Sequence, residues 1–204
     1  MSKIITIGRE LGSGGRTIGK LVAGKLGIPY YDRDLIDKAA EKTGLTTNYV
    51  ESTEQKITNS FLYNLAMGSS YAYHILATND KTNRPLSEQV YIAQQQVINE
   101  YAKKGSCVIV GRCADSILSE DFDVFKVFIY ADMEKRVERC ISQYHMSPDS
   151  VDYEIRQSDK NRCNHYNNFT DKEWGNRHNY DLLLNSSTIG YDKCADIICE
   201  LAAN

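Results

Sequence analysis

The sequence has no stretch near the roughly 18 apolar residues that a membrane-spanning helix requires. Its opening, MSKIITIGRE, reaches charge after only a few apolar residues, so a soluble, unexported, cytoplasmic protein is expected, with no membrane partner. No Cys-x-x-Cys pair occurs among Cys107, Cys113, Cys140, Cys163, Cys194 and Cys199, and most of these lie in apolar periodic segments. Reduced core thiols are therefore expected instead of a disulfide framework. His74, His145, His165 and His178 lack paired metal-ligand spacing, which argues against a structural zinc site. Neither sign of charge dominates: 24 Lys and Arg face 27 Asp and Glu, for a formal net charge of −3. That balance gives no general attraction to nucleic acid, so any anion site must be built locally. Internal repeats and low-complexity tracts are also missing. What remains, in 204 residues, is one domain of α/β size.

Short apolar runs alternate with helical patterns, as expected of parallel strands joined by crossover helices. The strand candidates are residues 4–7 (IITI), 28–31 (IPYY), 107–110 (CVIV), 124–130 (VFKVFIY) and 181–184 (DLLL). Ile18, Leu21, Val22 and Leu26 trace a helix that stops at Gly27. A second stripe runs from Val90 to Tyr101, a third from Met133 to Tyr144, and Tyr191 to Ala202 reads as a closing amphipathic helix. Ser147 and Pro148 are expected to start a polar helix reaching about Asn164. Residues 35–86 are less regular and are expected to form a helical substrate-binding insertion, and the polar segment 157–179 a cover or lid.

The segment TIGRELGSGGRTIG, residues 6–19, resembles a phosphate cradle in which backbone N–H groups wrap an anion and a lysine reaches the outer phosphates. Arg16 stands where a lysine would follow Gly15. The rival is a dinucleotide fingerprint, with Gly12-Ser13-Gly14 as its start and Asp32 about 20 residues on; its third glycine position is Thr17. The order strand, glycine-rich turn, cation, hydroxyl, helix favours the cradle, with Thr17 as a possible Mg²⁺ contact.

Three further constellations follow. In YYDRD, Asp32 and Asp34 would share one face if extended, pointing to the crevice outside the strand ends; Asp34 alternatively caps a helix. In VIVGRCAD, Arg112 ends a buried strand at the same edge, where its guanidinium suits a phosphate or carboxylate. Arg136, Arg139, Arg156, Lys160 and Arg162 supply helical cations; Arg156 and Lys160, four apart, share a face that could cover a transferring phosphoryl group or simply be solvated.

Taken in order, GRELGSGGRTIG, IPYYDRDLI, SEQVYIAQQQVI, GSCVIVGRCAD, VFIYADMEKRV and YDLLLNSSTIG resemble the cytidylate kinase-like family of phosphate-loop kinases, nearly end to end. The resemblance implies a three-layer α/β/α P-loop kinase fold with a five-stranded parallel sheet, an insertion and a lid. It implies ATP and Mg²⁺ as donor, and a small-molecule phosphate acceptor, a nucleoside monophosphate such as CMP or dCMP. By position, Gly12, Ser13, Gly14, Gly15, Arg16 and Thr17 would hold the ATP phosphates, Asp32 and Arg33 the substrate, and Arg112 the acceptor phosphate. Arg156, Lys160 and Arg162 would belong to the lid, and Asp181 resembles an acidic position near the acceptor. The two-acid DRD is also similar to shikimate-type kinases, whose acceptor is an alcohol, and Asp32 would then orient or deprotonate the hydroxyl. A GTPase is disfavoured because neither NKxD nor DxxG occurs. A non-catalytic nucleotide-binding module and an NAD-dependent oxidoreductase remain the readings from other classes.

Overall fold

A computed structural model describes residues 3–50 and 85–203. The sheet is built from β1 (Ile4–Arg9), β2 (Tyr30–Tyr31), β3 (Cys107–Val110), β4 (Val124–Tyr130) and β5 (Leu182–Asn185). All pairings are parallel, in the order β2-β3-β1-β4-β5. Runs of Ile and Val suit the central places because such strands are covered on both faces. Ile5, Ile7, Val108 and Val110 face one layer, where they pack with α1 (Gly15–Leu26) and α8 (Tyr191–Ala202). Ile4, Cys107 and Ile109 point the other way, against α3 (Leu86–Ala102) and α4 (Ala114–Ile117). The two-residue period of a strand thus divides one apolar run between two cores, giving the three-layer α/β/α P-loop fold.

Strand β2 is shorter than the four residues expected, since Pro29 has no N–H to give; only its carbonyl joins the sheet, accepting from the Val108 amide at 2.8 Å. Helix α2 (Asp34–Thr43) packs Ile36, Ala39 and Ala40 against Val90 and Ala93 of α3, so the start of the expected insertion is core. Residues 51–84, most of that insertion, lie outside the described residues.

Helix α5 (Met133–Tyr144) has the expected bounds. Helix α6 (Val151–Phe169) begins later and runs further than the expected polar helix, because residues 147–150 form a turn in which the Ser147 carbonyl accepts from the Ser150 and Val151 amides. A short 3₁₀ turn (Arg177–Asn179) leads to β5, and α7 (Ser186–Ile189) links β5 to α8. The six cysteines form no disulfide. Among the described residues no helix is long and apolar enough to cross a membrane, and no cluster of His, Cys, Asp and Glu could hold a metal ion.

Candidate active site

Strand β1 ends at Arg9, and the next five residues carry the chain into α1. The Ser13 side chain turns inward and is fully buried: its hydroxyl donates to the Glu10 carbonyl at 2.9 Å, while its own carbonyl accepts from Ser186 Oγ at 2.6 Å. Ser13 therefore shapes the loop. Gly14 precedes the helix in the left-handed region, φ 80°, and a Cβ there would lie 2.4 Å from the Tyr191 ring. Glycine is thus required twice over. No side chain caps α1 and no acid sits in its first turn, so no side chain offsets the positive end of the helix dipole there.

Beside this loop, the carboxyl ends of β1, β2 and β3 bring four charged groups together. Asp32 follows β2 and is buried; its Oδ2 lies 2.8 Å from Arg16 Nε, and its Oδ1 lies 3.4 Å from Arg112 Nη1 and 3.9 Å from Arg9 Nη2. One carboxylate is shared by three guanidinium groups. Arg112 is placed by an unusual bend: Gly111, Arg112 and Cys113 are all left-handed, with φ of 76°, 54° and 57°. For the two non-glycine residues this conformation costs about 1 kcal/mol or more each. The bend sets the Arg112 guanidinium beside Asp32, a contact that offsets part of this cost.

Helix α6 forms the facing wall. Its inner side carries Asp159, whose Oδ1 accepts from the Leu11 amide at 2.8 Å and lies 3.5 Å from Arg162 Nη1, while Oδ2 pairs with Arg136. Arg162 Nη1 also donates to the Arg9 carbonyl at 3.1 Å. Arg136, buried on α5, reaches the Leu11 carbonyl at 2.7 Å and Glu10 Oε2 at 3.3 Å. Burial raises the Glu10 carboxyl, against the Ala131 amide and Arg136, which favour its charged form. Burial likewise lowers Arg162. Arg9 is pulled down to about 9, first by burial and then by the guanidinium of Arg162, with Asp32 opposing and Arg112 and Arg16 adding to the fall. Burial leads all three shifts, and for Arg9 the neighbouring guanidinium groups add to it.

The cleft holds about 430 Å³ and extends from Arg9, Arg16 and Arg112 to Tyr166, Trp174 and Tyr180. At that far end the buried Asp115 accepts from the Tyr166 hydroxyl at 2.7 Å. On the other side of the loop, Arg139 Nη2 donates to Thr17 Oγ1 at 2.6 Å, and its guanidinium lies 4.6 Å over the Tyr191 ring. A guanidinium cluster and a chamber of about 430 Å³ therefore share one crevice at the strand ends, where open α/β sheets bind ligands.

The model of the cytidylate kinase-like family matches residues 4–188. The chain belongs to that family. No curated protein matches the sequence. Among solved structures, an uncharacterized protein from Eubacterium ventriosum ATCC 27560 is similar over 100% of this chain and 99% of its own, at 24% identity and a TM-score of 0.72. Shikimate kinase from Acinetobacter baumannii, in complex with shikimate, is similar over 100% and 93%, at 15% identity and TM-score 0.55. A gluconokinase from Sinorhizobium meliloti 1021 is similar over 100% and 95%, at 12% identity and TM-score 0.52. At such identities the likeness concerns the fold.

In this member of the cytidylate kinase-like family, the structure gathers Arg16, Asp32, Arg112 and Arg162 at the cleft and sets Gly12 to Thr17 around the start of α1. Other candidates lie elsewhere. Arg156 and Lys160 do share a face of α6, but it is the exposed one, and Arg156 pairs with Asp152 at 2.8 Å. Arg33 and Asp34 are exposed where the chain turns into α2, so Asp34 does not share an extended face with Asp32. Asp181 directly precedes β5, its carboxylate accepting from the Lys126 amide at 2.8 Å, and it does not line the cleft. Sequence reasoning missed Arg9, Asp159, Asp115 and Tyr166. A signal for two of them existed: the apolar pair Val151 and Ile155, extended at helical spacing, passes through Asp159, Arg162 and Tyr166.

Proposed function

We propose that this chain transfers the γ-phosphoryl group of ATP to a small acceptor that already carries a phosphate, a nucleoside monophosphate such as CMP or dCMP. The observation that supports this reading is the sharing of Asp32 among Arg9, Arg16 and Arg112. An alcohol acceptor needs a base or a firm orienting acceptor. Asp32 is already engaged by three guanidinium groups, and those same groups suit an ionised phosphate, whose oxygens attack without deprotonation.

In this reading the uncapped amides of α1 receive the ATP polyphosphate, Arg16 and Arg112 hold and orient the acceptor phosphate, and Arg162 closes the cleft from α6. The segment 157–179 supplies Arg162, His165, Tyr166 and Trp174 to the cleft wall and serves as its cover. Thr17 Oγ1 accepts from Arg139 at 2.6 Å, so it would hold Mg²⁺ only after Arg139 gives way; the ion would then neutralise phosphate charge. Catalysis is then mostly positioning and charge neutralisation.

The test is ADP release by the purified chain with ATP and Mg²⁺ across an acceptor panel of CMP, dCMP, UMP, AMP, GMP, shikimate and gluconate. Release with one or more nucleoside monophosphates, and none with the two alcohols, is expected. Release with an alcohol alone would replace the acceptor class. A chain that binds ATP yet releases no ADP with any acceptor would instead be a nucleotide-binding module.

A further inference from the structure

In the phosphate-loop pattern a lysine follows the last glycine and reaches the outer phosphates. Here the residue that follows the left-handed Gly14 and opens α1 is Gly15, which has no side chain. The next residue, Arg16, leaves the loop altogether: its side chain is 53% exposed and its Nε is 2.8 Å from Asp32. Neither position delivers a cation over the cradle. The vacant space is filled from the sheet instead. A Cβ on Gly15 would lie 2.6 Å from Arg9 Cβ and 3.0 Å from Arg9 Cγ, so the Arg9 stem lies where a side chain at position 15 would start. At its other end the Arg9 guanidinium occupies the room beside Gly111, where a Cβ would come within 1.9 Å of Nη1. Both glycines are thus clearances for one arginine.

Resting on the kinase reading above, we infer that Arg9 is the catalytic cation of this loop, delivered from the end of β1 in place of the helix-borne lysine, and that its guanidinium contacts the transferring phosphoryl group. An acceptor phosphate oxygen forms a bond to the γ-phosphorus as the bond from that phosphorus to the β–γ bridging oxygen breaks. The electron pair leaves with ADP, and no proton moves. Arg9 donates N–H bonds to the non-bridging oxygens throughout, and its planar fork can hold two of them at once. Its side chain is 12% exposed and stands between the loop and the Asp32–Arg112 pair, as a group bridging donor and acceptor must.

The interlock with Gly15 makes the assignment testable by exchange. Arg9→Gln retains most of the stem and removes the charge; turnover is expected to fall on the order of 10³-fold, as for other phosphoryl-transfer arginines. Gly15→Lys alone should also lose activity, because its Cβ meets Arg9. Combined with Arg9→Gly, which removes the clashing Cβ as well as the stem, Gly15→Lys regains the space, and the double variant should exceed Arg9→Gly by at least about tenfold, a recovery of about 1.4 kcal/mol. A merely structural Arg9 would give no such recovery, and thermal melting of each variant shows which are folded. Undiminished turnover in Arg9→Gln, or a folded double variant no faster than Arg9→Gly, overturns the assignment while leaving the kinase reading intact. Absence of transfer in the unmodified chain overturns both.

Discussion

Two carboxylates organise opposite walls of the cleft, and they are used differently. Asp32 is fixed at the end of a strand and is shared by Arg9, Arg16 and Arg112, none of which approaches it closer than 2.8 Å. Asp159 sits on a helix and is saturated: one oxygen takes the Leu11 amide and faces Arg162, the other pairs with the buried Arg136. On the Asp32 side three guanidinium groups face one carboxylate, a balance that the proposed phosphate acceptor would complete. On the Asp159 side the protein supplies its own anion to the loop, and the result is an anchor between α6 and the segment Glu10–Leu11. The first carboxylate arranges a binding surface, and the second holds the fold of the site together.

This contrast is broken most severely by removing a cation from the open side. Arg16→Ala should lower transfer on the order of 10³-fold while melting close to the parent temperature, since the half-exposed Arg16 is screened by water and the buried Asp32 keeps Arg9 and Arg112, a loss of only about 0–1 kcal/mol. Comparable losses of activity and stability would mean that Arg16 is structural. The anchor should show the reverse. Asp159→Ala leaves Arg136 buried with Glu10 as its remaining carboxylate partner, and a stability loss of about 3 kcal/mol is expected in urea unfolding; an unchanged midpoint would deny it that role. Smaller still is Asp32→Asn, which keeps an oxygen acceptor but removes the charge that aligns the arginines. With a phosphate-bearing acceptor its KM should rise about tenfold with kcat nearly retained, in line with a lost charged hydrogen bond. A collapse of kcat instead would assign Asp32 to deprotonating an alcohol.

The open wall was more legible in the sequence than the anchored one. The Ile and Val runs place the strands, and residues directly after them, Asp32 and Arg112, are at the crevice because strand ends converge there. The Asp159 wall depends on helical phase, and α6 has few apolar residues to reveal it: past Ile155 its inner side is continued by Asp159, Arg162 and His165. A spacing of four correctly puts Arg156 and Lys160 on one face, yet spacing alone does not say which face meets solvent. Arg136 and Arg139 show the same gap in reverse, being buried against the loop although they sit in a charged run. Arg9 was hidden for another reason. Its position depends on a side-chain vacancy at Gly15, a tertiary fit that no local pattern records.

The smallest expected effect concerns the far end of the cleft, beyond both hubs, where Asp115 is buried beneath Tyr166. Burial pushes its carboxyl above the ordinary range, with the Tyr166 hydrogen bond opposing. The folded chain therefore holds this proton more tightly than the unfolded chain does. Below the ordinary carboxylate range both states are protonated and the contribution to stability is complete. As pH rises through the window between the ordinary value and the raised one, the unfolded state releases its proton first, and stability falls. Asp115→Asn has no proton to lose, so its stability should gain on the parent as pH rises through that window and run parallel beyond it. Glu10 is raised in the same direction and is present in both proteins, so its share cancels in the difference. Urea unfolding of the pair from about pH 4 upward measures that difference directly. A flat difference would show that Asp115 is as easily ionised in the fold as in the open chain, and that the chamber it lines is wetter than its burial suggests.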